Sequence, residues 1–289
     1  MSRDNNGNDI SSSSSSASRG ALIVLEGLDR SGKTTQAARL LQHLEAGGKS
    51  ARIQRFPDRE EPLLGALIDA FLRNAKSVDE SREVMHLLFS ANRWALAERM
   101  RAELAAGTTL IVDRYSYSGV TYSLAKGLDP TWTAQPEVGL PRPDLVLFFD
   151  LNPERTAQRG GFGDEIMERS DFQKLVYNNL KSIFNDAYWK TPQIDPPPIG
   201  NDLKIISWVL DESNPGHRNI SAGLLGICTR GMKLTRFAKG TGQHRRKINA
   251  DNSVESVHAD VVAEADRAIA DVERSAKPLQ TLTLKDFGL

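Results

Sequence analysis

The glycine-rich turn in the segment ALIVLEGLDRSGKTTQAARLL, residues 21–41, constrains the fold of this chain more than any other feature. Gly27, Gly32, Lys33 and Thr34 occupy the fixed positions of the phosphate-binding pattern G-x-x-x-x-G-K-[ST]. The apolar run before the turn predicts a buried β-strand, and apolar residues at helical spacing after it predict a helix. Glycines allow backbone N–H groups to surround an anion, and the N-terminus of the helix adds partial positive charge. The sequence therefore predicts a nucleotide-binding site rather than an ordinary strand–turn–helix corner.

Side chains in and after this turn have the chemistry that a bound nucleotide requires. We expect Lys33 to reach the β- and γ-phosphates and the Thr34 hydroxyl to be a ligand of Mg²⁺. Ser31 and Thr35 are further candidates for contacts with the same nucleotide.

Composition and charge exclude several classes of protein. The 289 residues are enough for one large or two small domains, and their formal net charge of zero gives no general attraction to nucleic acid or membranes. No apolar run approaches the length of a membrane span, the N-terminus lacks the apolar region of a secretory signal, and the single cysteine, Cys228, excludes an internal disulfide. We therefore expect a soluble protein of a reducing compartment, the cytoplasm or also the nucleus, without a membrane or nucleic-acid partner.

Segments typical of strands alternate along the chain with longer segments typical of helices. This alternation predicts an α/β fold in which a parallel sheet has helices on both faces. After the first strand and helix, the predicted strands are residues 50–56, 108–115 and 143–151, and the predicted helices are 62–75, 84–106 and 171–189.

Basic residues follow the predicted strands, at the edge of the sheet where α/β proteins bind their ligands. Arg59 comes after the second strand and Asp113 and Arg114 end the third, while Phe89 and Arg93 lie on the helix between them. Taken singly, Arg59 could be a surface residue, Asp113 and Arg114 a structural ion pair, and Phe89 a core residue. Several arginines beside a phosphate-binding lysine suit two phosphate-bearing substrates better than one.

Six motifs in this order resemble those of the thymidylate kinase family: LIVLEGLDRSGKTTQ, RFPDR, HLLFSANRW, DRYSYSGVTYSLAKGL, GLPRPDLVLFFDL and QRGGFGDE. The resemblance covers residues from about 20 to 190 and resumes near the C-terminus. It implies a P-loop kinase fold, with a five-stranded parallel sheet, flanking helices and a mobile lid. It also implies ATP-dependent phosphorylation of dTMP to dTDP in dTTP biosynthesis, with Mg²⁺ as cofactor, and a homodimer formed through the helix that carries LLFSANRW.

The resemblance assigns four residues to the ATP side of the site. Lys33 and Thr34 would hold the phosphates and Mg²⁺. Arg30, inside the loop, would stabilise the transition state as an arginine finger supplied by the same chain. Arg159, in the lid, would lie against the adenine.

On the dTMP side, the resemblance assigns a second group of residues. Arg59 and Arg114 would bind the 5′-phosphate, Asp113 would orient Arg114 or a Mg²⁺-bound water, and Asp29 would meet the 3′-hydroxyl.

The remaining roles concern the base and the sugar of dTMP. Phe89 would stack on thymine, Arg93 would donate to a base carbonyl, and Tyr122 would crowd the 2′ position and so disfavour ribonucleotides. Ser118 and Gly119 are further dTMP-binding candidates.

The lid departs from the family pattern. Where the family has E-R-Y-E, this chain has EIME, with Ile166 and Met167 in place of the arginine and the tyrosine, while Glu165 and Glu168 remain. Because Arg30 already supplies an arginine from the phosphate-binding loop, we expect weaker lid closure or affinity rather than inactivity.

A long segment interrupts the kinase-like sequence. We predict a disordered serine-rich tail at 1–19, a kinase domain formed by 20–190 and 247–275, an atypical insertion at 191–246 and a C-terminal tail at 276–289. The insertion could be a translated intron, a tolerated disordered loop, or a basic arm that binds nucleic acid. It separates the first part of the domain, 20–190, from the part that contains Ala250, Asp251 and Asn252, which are weaker candidates for the adenine pocket.

Three other functions remain open at this point. The chain could phosphorylate a different nucleoside monophosphate, although Phe89, Arg93 and Tyr122 fit a pyrimidine deoxynucleotide. A GTPase-like switch would need a guanine-binding N-K-x-D motif, which the sequence lacks. A catalytically weakened relative that only binds nucleotides is the third possibility.

Overall fold

The computed structural model describes residues 18–73, 82–159, 170–184 and 244–289. All of them belong to one of the two units into which the chain divides, the unit formed by Met1–Asn185 and Gly242–Leu289. Its strands and helices are, in order, β1 Leu22–Gly27, α1 Lys33–Ala46, β2 Ala51–Arg55, α2 Gly65–Arg73, α3 Arg82–Ala105, β3 Thr109–Asp113, α4 Ser116–Ala125, α5 Pro130–Ala134, β4 Leu145–Asp150, α6 Pro153–Ala157, α7 Ser170–Phe184, β5 His244–Asn249 and α8 Val254–Ser275. Short 3₁₀ turns cover Gln135–Glu137 and Leu284–Phe287.

The strands form one parallel five-stranded sheet in the order β2-β3-β1-β4-β5. The predicted parallel sheet flanked by helices is therefore confirmed. The register pairs Leu25 with Asp113, and Arg55 with the same Asp113, so that the ends of three strands lie side by side. Of the predicted lid segment NPERTAQRGGFGDE, residues 152–165, the structure describes residues 152–159, which contain α6. The other residues of this segment lie outside the described ones.

The two faces of the sheet are buried by different helices, which explains the continuous apolar runs of the central strands. Ile23 and Leu25 of β1 share a core cluster with residues of α1 and α8. Leu22 and Val24, which point to the opposite face, share a second cluster with residues of α3 and α4.

Four helices were not predicted. Two of them, α5 and α6, have only five residues each. Helix α4 lies within DRYSYSGVTYSLAKGL, and α8 follows β5 in a segment for which no helix was predicted. The signal for α8 was present, because Val257, Val261 and Ala265 are buried at helical spacing. Helix α4 has no such pattern: its N-terminus is bound by the distant Glu26 carboxylate, described below.

The predicted boundaries differ from the structure at two places. Arg19, assigned to the disordered tail, forms an ion pair of 2.7 Å with Asp144, whose other carboxylate oxygen accepts a hydrogen bond from the N–H of Leu22 at 2.9 Å. Strand β5 begins at His244, where its pairing with β4 starts, so residues 244–246 of the predicted insertion belong to the sheet. The rest of the insertion up to residue 243, and residues 1–17, lie outside the described residues.

The segment 276–289, predicted as a C-terminal tail, packs against the domain. Leu282 and Phe287 are almost completely buried in the cluster on the α3 and α4 face. Asp286 forms a 2.8 Å ion pair with Arg142, and both side chains are largely buried. These contacts make the end of the chain part of the core.

Candidate active site

The phosphate-binding loop follows β1 with an unusual backbone that only some residues tolerate. Gly27 and Gly32 have φ angles of 151° and 98°, and a Cβ atom on Gly27 would lie 2.9 Å from the carbonyl oxygen of Phe149. Arg30, which is not a glycine, has φ 60°. A left-handed backbone at a non-glycine residue is strained by about 1–3 kcal/mol and is concentrated at functional sites.

Lys33 is buried at the start of α1, and its ammonium group points back into the loop. Its Nζ donates to the carbonyl oxygens of Gly27 at 3.1 Å and Leu28 at 2.5 Å, and to Ser31 Oγ at 3.3 Å. Burial, together with the charge of Arg114, lowers the pKa of Lys33 to about 8, against the opposing effect of nearby carboxylates. The loop thus disfavours the charged form of Lys33, which an anion bound beside the ammonium group would stabilise.

The next residue, Thr34, connects the loop to the end of β3. Its hydroxyl donates to Asp113 Oδ2 at 2.7 Å. Arg55, at the end of β2, donates through Nη2 to the same two oxygen atoms, at 2.5 Å to Thr34 Oγ1 and at 3.2 Å to Asp113 Oδ2. The Asp113 side chain is buried, whereas that of Arg55 is largely exposed. Two adjacent oxygens therefore already hold a positively charged group.

Asp29 and Arg114 form a partly buried ion pair beside the loop. The Arg114 guanidinium contacts Asp29 Oδ1 and also donates to the carbonyl oxygen of Gly27 at 3.1 Å. Asp29 Oδ2 accepts from the Tyr122 hydroxyl at 2.8 Å and from Gln173 Nε2 at 3.4 Å. Burial alone would raise the pKa of Asp29, but the charges of Arg114 and Lys33 hold it at about 2. Asp29 is thus a carboxylate at every physiological pH.

Glu26, the residue before Gly27, fixes the start of α4. Its fully buried carboxylate accepts from the backbone N–H groups of Tyr115 at 2.9 Å and Ser118 at 3.0 Å, and from Ser118 Oγ at 2.5 Å. Burial raises the pKa of Glu26, which the hydrogen bonds and the charge of Arg114 oppose. Arg114 has φ 69°, so the Glu26 contacts hold a strained turn in place.

A cavity opens between this turn, the end of β2 and helix α3. Side chains predicted to bind the second substrate line it together: Asp29, Arg59, Phe89, Arg93, Arg114 and Tyr122, with Ser118 and Gly119. The cavity thus has aromatic and cationic walls, with the carboxylate of Asp29 at the end nearest the phosphate-binding loop.

Two arginines of this cavity are held by carboxylates of different elements. Arg59 Nη1 pairs with Asp69 Oδ1 of α2 at 3.2 Å. Arg93 pairs with Glu137 through two hydrogen bonds, from Nε to Oε2 at 2.8 Å and from Nη2 to Oε1, and both side chains are almost completely buried.

Arg159 connects the far side of the loop to the segment after β5. Its guanidinium donates to the carbonyl oxygens of Arg30 at 2.9 Å and Ala250 at 3.1 Å, while Arg30 Nη1 donates to the carbonyl oxygen of Arg159 at 3.1 Å. Arg155 forms a 2.9 Å ion pair with Asp251. The predicted adenine-side residues therefore lie together, although they are far apart in sequence.

The structure brings most of the predicted site residues to one edge of the sheet, with a few differences. Thr35 is exposed on the first turn of α1. Asp113 was expected to orient Arg114 or a Mg²⁺-bound water. Its described hydrogen bonds are with Thr34 and Arg55, and the carboxylate that pairs with the Arg114 guanidinium is that of Asp29. The lid residues 165–168 lie outside the described residues.

Three polar residues of the site were missed by the sequence analysis. Glu26 is a carboxylate inside an apolar strand, and that contrast was a usable signal. Arg55 is the last residue of its strand, a position that the rule for α/β sheets already marks. Glu137 lies in a loop segment that gives no local signal of its pairing with Arg93.

No helix in the described part of the chain is both long and apolar enough to cross a membrane.

Comparisons with known proteins agree with the resemblance seen in the motifs. A sequence model of the thymidylate kinase family matches residues 25–197. A thymidylate kinase of Arabidopsis thaliana is 50% identical over 203 residues, which are 70% of this chain and 76% of that protein. A thymidylate kinase of Homo sapiens is 40% identical over 196 residues, 66% of this chain and 91% of that protein.

A solved structure gives the same result at the level of the fold. The thymidylate kinase of Candida albicans, described as having broad substrate specificity and a novel structural element, has a TM-score of 0.60 to this chain and 28% sequence identity. The match covers 92% of this chain and 99% of that one.

Proposed function

Because the chain belongs to the thymidylate kinase family, we propose that the carboxyl edge of its sheet is the active site in which a phosphoryl group passes from ATP to dTMP. The chain is a nucleoside monophosphate kinase that phosphorylates dTMP to dTDP at the expense of ATP. The observation that carries the site assignment is that the phosphate-binding loop and the cavity are joined by the Asp29–Arg114 pair.

The ATP phosphates bind at the loop through Lys33 and the backbone N–H groups around it. Lys33 Nζ donates to backbone carbonyl oxygens, which are weaker partners for an ammonium group than phosphate oxygens. Arg30 and Arg159 border the ATP site, with Ala250 on the adenine side. The guanidinium of each arginine donates to the backbone carbonyl oxygen of the other.

The dTMP phosphate binds between Arg114 and Arg59, and the nucleoside extends into the cavity. Asp29 lies where a sugar hydroxyl can donate to it, since Oδ2 already accepts from a hydroxyl, that of Tyr122. Phe89 lies against the base, and Arg93 supplies a hydrogen-bond donor to a base carbonyl.

The residues present fit a Mg²⁺ ion bound with ATP. Thr34 Oγ1 and Asp113 Oδ2 are hard oxygen donors 2.7 Å apart, and both contact the Arg55 guanidinium, so this place favours positive charge. When bound there, the ion would neutralise charge on the donor phosphates. Thr34 and Asp113 would hold it, directly or through water, after Arg55 moves aside.

Catalysis follows from positioning and charge neutralisation. Lys33 and Arg30 face the donor phosphates and Arg114 and Arg59 the acceptor phosphate, so the two anions can approach in line despite their mutual repulsion. Closure of the lid would exclude water, which would otherwise hydrolyse ATP.

We also propose that two copies of the chain associate through α3. The helix exposes an apolar stripe at helical spacing, formed by Val84, Leu87, Ala91 and Trp94. The location of the protein in the cytoplasm or the nucleus, and the domain boundaries around 191–246, stay predictions from the sequence.

The test of the proposed function is the release of ADP by the purified full-length chain with Mg²⁺ and ATP. The acceptors are dTMP, dUMP, UMP, dCMP, AMP and dGMP, and Lys33→Ala is the inactive control. We expect turnover that prefers dTMP and is lost in the variant. Equal turnover of all six acceptors, or turnover that survives Lys33→Ala, would contradict the assignment.

If no acceptor supports turnover, the same assay after deletion of 191–246 separates two causes. Activity that returns on deletion shows that the insertion blocks a competent domain. Continued inactivity indicates a catalytically weakened relative.

A further inference from the structure

The buried ion pair between Arg93 and Glu137 joins the base end of the cavity to the turn after α5. It is bidentate, with one bond from Nε and one from Nη2, and the side-chain exposures are 4% for Arg93 and 0% for Glu137. A pair of this kind fixes a guanidinium in its plane, since two parallel hydrogen bonds remove rotation about the last side-chain bonds.

The pair leaves a defined part of the arginine for a ligand. A guanidinium has five N–H groups and no acceptor. Glu137 binds Nε and Nη2, so the two N–H groups of Nη1 are not used by the carboxylate. Nη1 lies beside Gly119, which lines the same cavity as Arg93 and Phe89.

Helix α4 closes the other side of the guanidinium through Gly119. A Cβ atom at this position would lie 2.5 Å from Arg93 Nη2 and 3.1 Å from Cζ, closer than van der Waals contact allows. Glycine is therefore required for Arg93 to remain flat between the helix backbone and Glu137.

From this geometry we propose that Glu137 is a positioning residue that makes Arg93 a rigid hydrogen-bond donor and thereby sets the selectivity for the acceptor base. The proposal rests on dTMP being the acceptor. Thymine and uracil carry a carbonyl oxygen at position 4, which accepts from Nη1, whereas cytosine carries an amino group there. With cytosine, the N–H groups of Arg93 Nη1 would face the N–H groups of the base, and neither would have an acceptor. A buried polar group without a partner lowers affinity by roughly 10- to 100-fold.

A mobile arginine would discriminate less, because it could turn away from the cytosine amino group and bind water instead. The selectivity against cytosine therefore depends on Glu137 and Gly119, although neither has to touch the base.

The experiment compares kcat/KM for dTMP, dUMP and dCMP in full-length wild-type protein, Glu137→Gln, Glu137→Asp and Gly119→Ala. We expect the dTMP-to-dCMP ratio to fall by roughly 10-fold in each variant, because the rigid donor is lost, while the KM for ATP changes by less than about twofold. The dTMP-to-dUMP ratio should stay constant, since both bases have the same carbonyl.

Asp286→Asn is the matched control, because Asp286 belongs to another largely buried arginine–carboxylate pair, with Arg142, outside the cavity. It should lower the melting temperature without changing the dTMP-to-dCMP ratio. If the dTMP-to-dCMP ratio fell by the same factor in this control, the effect of the Glu137 variants would be explained by general destabilisation, and the proposal would be overturned.

Two further outcomes concern a Glu137 variant that does not fold and a wild-type protein without a preference for dTMP. Should Glu137→Gln fail to fold, Gly119→Ala still tests the proposal, since it displaces Arg93 while keeping both charges; an unchanged ratio there refutes it. Wild-type protein that does not prefer dTMP would instead refute the proposed function, which is a separate result.

Discussion

Binding of ATP should be accompanied by proton uptake above pH 8, because the nucleotide-free chain holds Lys33 in an environment that disfavours its charge. Burial and the charge of Arg114 lower the pKa of Lys33 to about 8. The phosphates of ATP supply the missing negative charge and should return the pKa toward its ordinary value of about 10.4. Above pH 8, Lys33 should therefore be protonated when ATP is bound and mostly neutral when it is not.

The size of the effect follows from the two pKa values. At pH 8.5, Lys33 without ATP is protonated to about one quarter, so binding should take up about 0.75 proton, whereas at pH 7 it should take up only about 0.1. By linkage, ATP should bind about eightfold more weakly at pH 9 than at pH 7.5, and the affinity falls with rising pH because the protonated form is the one that binds.

The assay is calorimetric titration with Mg²⁺ and ATP in two buffers that differ in their heat of ionisation. Lys33→Arg is the control, because arginine stays charged throughout this range and should show no uptake. Tyr122 does not interfere, since burial raises its pKa still further above this range. Wild-type protein with no buffer-dependent heat at pH 8.5 would refute the reasoning that Lys33 is partly neutral before ATP binds.

Three further predictions concern the acceptor site, the C-terminus and the dimer. Arg59→Ala should raise the KM for dTMP by roughly 10- to 100-fold in steady-state kinetics, because charge-assisted hydrogen bonds to the phosphate are lost, and it should leave the KM for ATP unchanged. An unchanged KM for dTMP would show that Arg59 is not part of the acceptor site. Phe287→Ala should lower the free energy of unfolding in urea by about 3–5 kcal/mol, because the ring is buried, and a loss below about 1 kcal/mol would contradict its packing. Leu87→Glu should convert a dimer into a monomer in sedimentation experiments, and a wild-type monomer at the same concentration would contradict dimerisation through α3.

The sequence by itself determined the features that depend on local pattern. The phosphate-binding turn could be recognised because Gly27, Gly32 and Lys33 must keep a fixed spacing to surround an anion. The central strands were evident from their continuous apolar runs, and the predicted α/β fold followed from their alternation with helices. The chemistry of Arg59 and Arg114 could be inferred because parallel strands deliver their ends to one edge.

Only the tertiary structure decided how the polar groups of the site pair with one another. The Glu26 carboxylate contacts residues 89 and 92 positions away in the chain, and Glu137 lies 44 positions from Arg93. A hydrogen bond between such residues depends on the packing of whole helices against the sheet, which no local spacing encodes. The same reason applies to Phe287, whose burial at the end of the chain follows from the core that the rest of the domain forms.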